Sequence, residues 1–319
     1  MLRSVRLSLV TCLSLPCLAG VACGEAHDAP RAPSIGGSSG APSSIGGSSG
    51  ATSSIGGSSG AASSVGGGGP SNGGGTSGVP GGAGTALGDA GESTGGDSNR
   101  EVSLLVFSRT AEYRHDSIPA GVAALTLLAA ERGWQLAATE DPSRFSDATL
   151  ASYDAVIFLS TTGDVLDDEQ QAAFERFIRS GKGFVGIHSA TDTEYDWSWY
   201  GELVGAYFRE HPAVQAADVL VEDTTSAATA GLPSPWRRTD EWYAFKTNPR
   251  PDVQVLLSLD EASYTPGASN MAGDHPIAWR HEHDGGRAFY TALGHTSESY
   301  SDAAFMGHVA GGIAWTLRL

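Results

Sequence analysis

Strand patterns alternate with helix patterns between residues 101 and 187, and this alternation limits the fold more than any other feature of the chain. Residues 101–107 read as a buried strand, and residues 119–132 carry Ala, Leu and Val at helical spacing. Residues 135–139 form a second strand pattern. Residues 155–159 (AVIFL) form a third, apolar without interruption, as central parallel strands are. In the helix pattern of 167–179, Asp167, Asp168 and Glu169 suit the positive N-terminal end, and Phe174, Phe177 and Ile178 give one apolar face. Residues 183–187 (GFVGI) are a fourth strand. Such alternation predicts an α/β fold, a mostly parallel sheet with helices on both faces. The remainder is less regular. Residues 218–221 and 253–257 are strand-like, and 277–283 and 287–293 flank the hairpin signal Asp284-Gly285-Gly286. Residues 305–317 predict a closing helix, with His308 a surface or packing residue on it.

The first 99 residues belong to another regime. Arg3 and Arg6 precede a short apolar stretch, residues 7–22, that ends in small residues, the pattern of an export signal. The stretch is too short, and too interrupted by Pro16, to predict a membrane span. LAGVAC at 18–23 resembles a bacterial lipoprotein processing site, which makes Cys23 the lipid acceptor, although Gly20 departs from the usual aliphatic residue. The expected localisation is therefore the bacterial envelope through a lipid anchor, or simple secretion. From 41 the chain repeats in tens: APSSIGGSSG, ATSSIGGSSG, AASSVGGGGP. One Ile or Val per ten residues cannot bury a continuous core, and glycine carries a high ordering entropy. Residues 23–99 are accordingly expected to be a disordered Gly/Ser tether with an r.m.s. span of roughly 45–50 Å, leaving residues 100–319 as one domain.

Charge and cysteine content exclude several functions. The net charge is −17, and all but −2 of it lies beyond residue 99, a field that repels nucleic-acid phosphates. All three cysteines, Cys12, Cys17 and Cys23, lie in the first 23 residues. The domain therefore has no disulfide, no thiolate ligand and no cysteine nucleophile.

Three histidines follow probable strands: His115 after SLLVF, His188 after GFVGI and His295 after RAFYTALG. Ligands of open α/β sheets bind at the carboxyl ends of strands, so the three imidazoles are expected to share one pocket. His188, in GIHSATD, is the candidate general base or metal ligand. His115 and His295 are its candidate partners, with Asp192 and Glu194 to orient them. Asp116 and Ser117, beside a helix start, could bind a polar ligand or merely cap the loop. Asp240, Glu241 and Trp242, with Tyr195, combine carboxylates and rings as sugar sites do, or form an acidic turn over core aromatics. Trp197, Trp199 and Tyr200 fit either core or a stacking wall. Three neutral imidazoles could hold a divalent metal such as zinc. His211, His275, His281 and His283 are weaker candidates, the last two a low-specificity metal pair alternating on one strand.

The stretches FSRTAEYRHDSIPAG, DAVIFLSTTGDVL, FERFIRSGKGFVGIHSATDTEYDWSWYGELVGAYF, RTDEWYAF, DHPIAW and FYTALGHT together resemble the ThuA-like (trehalose-utilisation) family over about residues 103–316. The resemblance implies a class I glutamine amidotransferase-like fold, a flavodoxin-like three-layer sandwich. Amidotransferases carry a cysteine at the turn that GIHSATD occupies. Here that residue is His188, so amidotransferase chemistry is not expected. The resemblance implies a site directed at carbohydrate. The leading expectation is an exported, lipid-anchored sugar-active enzyme, a hydrolase or lyase acting on a glycoside or keto-sugar. The alternatives are a non-catalytic carbohydrate-binding module on a flexible stalk, and a structural envelope protein.

Overall fold

The computed structural model describes residues 101–319. The expected signal segment, the Cys23 acceptor and the tether lie outside the described residues. The chain runs β1 (Ser103–Phe107), α1 (Ile118–Arg132), β2 (Gln135–Thr139), α2 (Asp147–Leu150), β3 (Ala155–Leu159), α3 (Asp168–Arg179), β4 (Gly183–Ile187), α4 (Ser198–Val204), β5 (Phe208–Glu210) and β6 (Gln215–Val221). It continues through β7 (Trp236–Asp240), β8 (Ala244–Phe245), β9 (Gln254–Leu259), β10 (Pro276–His283) and β11 (Gly286–Thr291) to α5 (Ala303–Thr316).

Nine strands form one mixed sheet in the order β2-β1-β3-β4-β11-β10-β9-β6-β7. The first five are mutually parallel, in the flavodoxin-like order with the topological switch between β1 and β3. The other four are each antiparallel to their neighbours. Strand alternation sends successive side chains to opposite layers. Phe158 stacks on Phe174 of α3, while Leu159, the next residue, lies where a Cβ on Gly121 of α1 would touch it. On the α1 side, α5 fits so closely that a Cβ on Gly312 would strike the Phe289 ring. The expected three-layer sandwich is what the chain adopts.

Local chemistry sets the element ends. Asp167 and Gln170 form a reciprocal capping box at the start of α3. Gly133, at φ +69°, ends α1. Asp284 and Gly285, both at positive φ, make the β10–β11 hairpin turn as the sequence signals.

Two features bring the site loops together. The loops after β1, β3 and β4 are stitched by parallel bridges between Thr110 and Thr162 and between Gly163 and Thr193. The antiparallel half of the sheet also curls. Four strand spacings of about 4.8 Å would hold β7 roughly 19 Å from β11 in a flat sheet. Instead, Asp240 at the end of β7 accepts the backbone N–H groups of Gly294 and His295, each at 3.1 Å. Register shifts between β9 and β10 accompany this curl, as bulges increase twist.

Glu194 is not beside the His188 ring, contrary to the expectation that it orients the histidines. Its carboxylate accepts the N–H groups of Val165 (2.9 Å) and Leu166 (2.8 Å) and the amide of Gln171 (2.7 Å). It ties the segment before α3 to the loop after β4. Burial pushes this carboxyl up to about 7 against those three donors. A carboxyl raised in the folded state adds stability that is complete below its unfolded value near 4.5 and lost as pH rises through about 7. Thermal denaturation from pH 5 to 8 should therefore show a loss of up to about 3 kcal/mol in the wild type that Glu194→Gln abolishes. Equal pH slopes in the two proteins would refute this.

A second pair of variants tests α5. A Cβ on Gly311 would lie 2.4 Å from the backbone of Ala227, while one on the exposed Gly307 meets nothing within 4 Å. Gly311→Ala should destabilise by about 1–3 kcal/mol, whereas Gly307→Ala should stabilise by up to about 1 kcal/mol. Chemical denaturation measures both.

Candidate metal centre

His188 follows β4 at the start of a short 3-10 turn, with φ +54°. A non-glycine residue in this left-handed region costs on the order of 1–3 kcal/mol and persists where surrounding structure enforces it. Two hydrogen bonds enforce it here. The Tyr290 hydroxyl donates to the His188 carbonyl (2.8 Å), and the His188 ring uses Nδ1 to contact the Ala292 carbonyl oxygen (2.9 Å). A carbonyl only accepts, so Nδ1 carries a proton, and in the neutral tautomer with that proton Nε2 is bare.

That Nε2 points at a crowd. His115 Nε2 lies 3.0 Å away, His295 Nδ1 3.2 Å and Glu241 Oε2 3.5 Å. His295 Nδ1 is in turn 3.1 Å from Glu241 Oε2. One ligand atom from each of the four residues lies within 4.8 Å of every other. The structure thus brings His115, His188 and His295 together at one rim and adds Glu241 to them. His115 and His188 are buried; His295 is partly open.

Neighbouring groups aim these side chains. Asp240, fully buried, accepts the N–H groups of Gly294 and His295 and so fixes the His295 loop. Ser117 donates its hydroxyl to the Gly294 carbonyl (3.2 Å), joining the His115 loop to the same segment. The Ser189 hydroxyl stands 3.4 Å from His115 Nδ1. Tyr243 lies beneath the His188 ring, with centroids 4.5 Å apart. His211 Nδ1 lies 3.1 Å from Glu241 Oε1 and 2.9 Å from the Pro212 carbonyl. Both partners accept, so His211 is an Nδ1–H donor that turns Glu241 Oε1 outward and leaves Oε2 among the histidines.

Burial and mutual contact shift three of the four groups. Burial, then the neighbouring His188 and His295, depress His115 to about 3, so it is neutral near pH 7. Burial alone would raise Glu241, but the adjoining His188 and His295 rings outweigh that and hold the carboxyl well below its ordinary range. The hydrogen bond to Glu241 raises His295. The cluster combines one anionic oxygen with three imidazole nitrogens.

Other expected site residues stand elsewhere. Trp242 is fully buried, its indole N–H donating to the Gln215 carbonyl (2.8 Å), so it offers no stacking face. Asp192 accepts the Tyr195 hydroxyl (2.7 Å), and burial raises its carboxyl. Tyr195 carries the Lys246 ammonium over its ring at 3.6 Å. Asp116 is exposed, while Ser117 begins α1 without a side-chain cap. Trp197, Trp199 and Tyr200 pack together in a stack that reaches Phe174 and Phe158; Tyr200 is core, and the half-buried Trp197 and Trp199 pack against the core's edge. His275 is enclosed between Glu261 and the Tyr243 carbonyl, and His308 is buried against the Ala228 carbonyl. His281 and His283 lie with ring centroids 6.2 Å apart, and His281 bonds the Glu202 carbonyl.

Comparison with known proteins agrees with this architecture. Residues 103–316 match the ThuA family, described as trehalose utilisation. A putative ThuA-like protein from Bacteroides uniformis ATCC 8492 superimposes with a TM-score of 0.58 at 24% identity, covering 67% of this chain and 91% of that one. A second, from Parabacteroides merdae ATCC 43184, gives 0.57 at 16% identity, covering 68% and 90%. No curated protein matches the chain. The family match spans well over half of the sequence and nearly all of the described residues, and the chain belongs to the sugar-related ThuA (trehalose utilisation) family.

Proposed function

We propose that the domain is a metal-assisted, sugar-active enzyme acting on a glycoside or keto-sugar, with His115, His188, His295 and Glu241 holding one divalent ion such as zinc. The observation that carries this reading is the donor crowding at His188 Nε2. A bare nitrogen lone pair faces two other imidazole nitrogens and a carboxylate oxygen at 3.0–3.5 Å. One shared proton cannot satisfy all four atoms, but one cation can. Zinc–ligand bonds of about 2.0–2.1 Å imply donor separations of roughly 3.3 Å in a tetrahedral shell. Four of the separations here fall between 3.0 and 3.5 Å.

On this reading His188 is a ligand rather than a general base, because its second nitrogen is committed to the Ala292 carbonyl. That bond fixes tautomer and ring direction, as outer partners of metal-bound histidines do. His211 performs the same service for Glu241, and Asp240 for the His295 loop. A bound divalent ion supplies Lewis acidity toward a substrate carbonyl or glycosidic oxygen. The carbohydrate assignment rests on the family and on the net negative charge, which disfavours anionic substrates. Export and lipid attachment at Cys23 are proposed with it, supported by the basic-then-apolar N-terminus.

Elemental analysis of the purified chain, with a turnover screen on glycosides and keto-sugars, tests the reading. The wild type should carry about one divalent ion per chain. His188→Ala should lose both the ion and turnover by about a hundredfold or more, and His211→Ala should weaken metal affinity about 10–100-fold. Sugar binding without metal or turnover, unchanged in His188→Ala, would instead favour a carbohydrate-binding module.

A further inference from the structure

We propose that Tyr113 is the platform on which a neutral, unphosphorylated pyranose ring stacks at the mouth of the histidine cluster. This rests on the sugar-directed reading of that cluster and names the substrate class it admits. Tyr113 is 64% exposed, and among the described residues no other aromatic side chain is left so open. Its ring stands at 86° to that of the buried His115, with centroids 4.8 Å apart. An exposed aromatic beside a polar cluster gains little from folding, and here its backbone is also tied down. The Ala111 N–H donates to the Thr162 carbonyl, and the Thr162 hydroxyl donates to the Tyr113 carbonyl, both at 2.8 Å. Arg114 pairs with Glu140 at 2.6 Å on the next residue. The ring is therefore presented from a backbone hydrogen-bonded at Ala111 and Tyr113, which lowers the ordering cost of binding.

The other rings near the cluster are committed. Trp242 is buried, Tyr243 lies under His188, Tyr195 carries Lys246, and Phe208 packs on Tyr243 at 4.2 Å. The apolar C–H face of a pyranose matches an aromatic face, while its hydroxyls need acceptors. Acceptors flank the platform. Glu112 and Asp116 are exposed on the same loop, and Glu112 lines a cleft of about 320 Å³ with Asp164, Tyr195 and Asp196. These carboxylates accept hydroxyl hydrogens and repel phosphate or uronate groups. That selects a neutral sugar.

Calorimetric titration of the metal-loaded full chain with trehalose, methyl α-glucopyranoside and glucose 6-phosphate tests the proposal without requiring turnover. Both neutral probes should bind the wild type, and glucose 6-phosphate should bind more weakly than either. Tyr113→Ala should weaken the neutral probes about tenfold, and Tyr113→Trp should hold them within about threefold. Unchanged melting temperature and metal content would show that Tyr113→Ala is folded, as its exposure implies. The proposal is overturned if Tyr113→Ala binds like the wild type, if neither neutral probe binds, or if the phosphate binds best. Failure of the wild type to load metal would contradict the cluster instead, and the sugar titrations would still decide the role of Tyr113.

Discussion

The buried carboxylate of Asp240 joins the two halves of this molecule. By accepting the N–H groups of Gly294 and His295 it pins the far edge of the sheet to the loop after β11. Arg238 reaches the same carboxylate at 3.3 Å and the Ser299 hydroxyl at 2.8 Å, so the closure is a buried network. Such a network is stabilising only when its members are satisfied together. Its consequence is chemical. Glu241, the residue after Asp240, arrives beside three histidines that a flat sheet would keep well away from it.

Parallel strand direction accounts for the rest of the site. β1, β4 and β11 all end at one rim, so residues separated by over a hundred positions meet there. The packed layers below hold that rim still. Phe158, Phe174, Phe184 and Tyr200 interlock beneath the loop that carries His188. The strained backbone at His188 is supported by this rigid floor and by the Tyr290 hydroxyl. Stability in the layers is thereby converted into fixed ligand positions at the edge.

The first half of the fold is legible because β3 and β4, AVIFL and GFVGI, are uninterrupted apolar runs, the pattern of buried parallel strands. His115, His188 and His295 were legible because strand ends in such a sheet share one side. The place of Glu241 among the histidines is not legible in the sequence, where it fits a sugar contact or an acidic turn, since its approach depends on the curl of the antiparallel half, and no local pattern encodes that. Of the two readings the sequence allows for Trp242, a stacking ring or a core aromatic, the structure has the second: the side chain is fully buried and its indole N–H is held by the Gln215 carbonyl. Glu194 sits two residues from Asp192, but the left-handed backbone at Glu194 redirects its carboxylate toward Val165 and Leu166. His211 carries little signal in the sequence because it follows β5, a three-residue strand too short to show a period.

The proposed centre is one ion held by three imidazoles and one carboxylate. X-ray absorption spectroscopy of the zinc-loaded full chain tests this directly. It should show a first shell of nitrogen and oxygen at about 2.0–2.1 Å, with multiple scattering from three imidazoles. Substitution of Glu241 by Gln should alter that shell, and substitution of His281 should not. A shell containing one imidazole or none, or a spectrum unmoved by loss of His188, would contradict it.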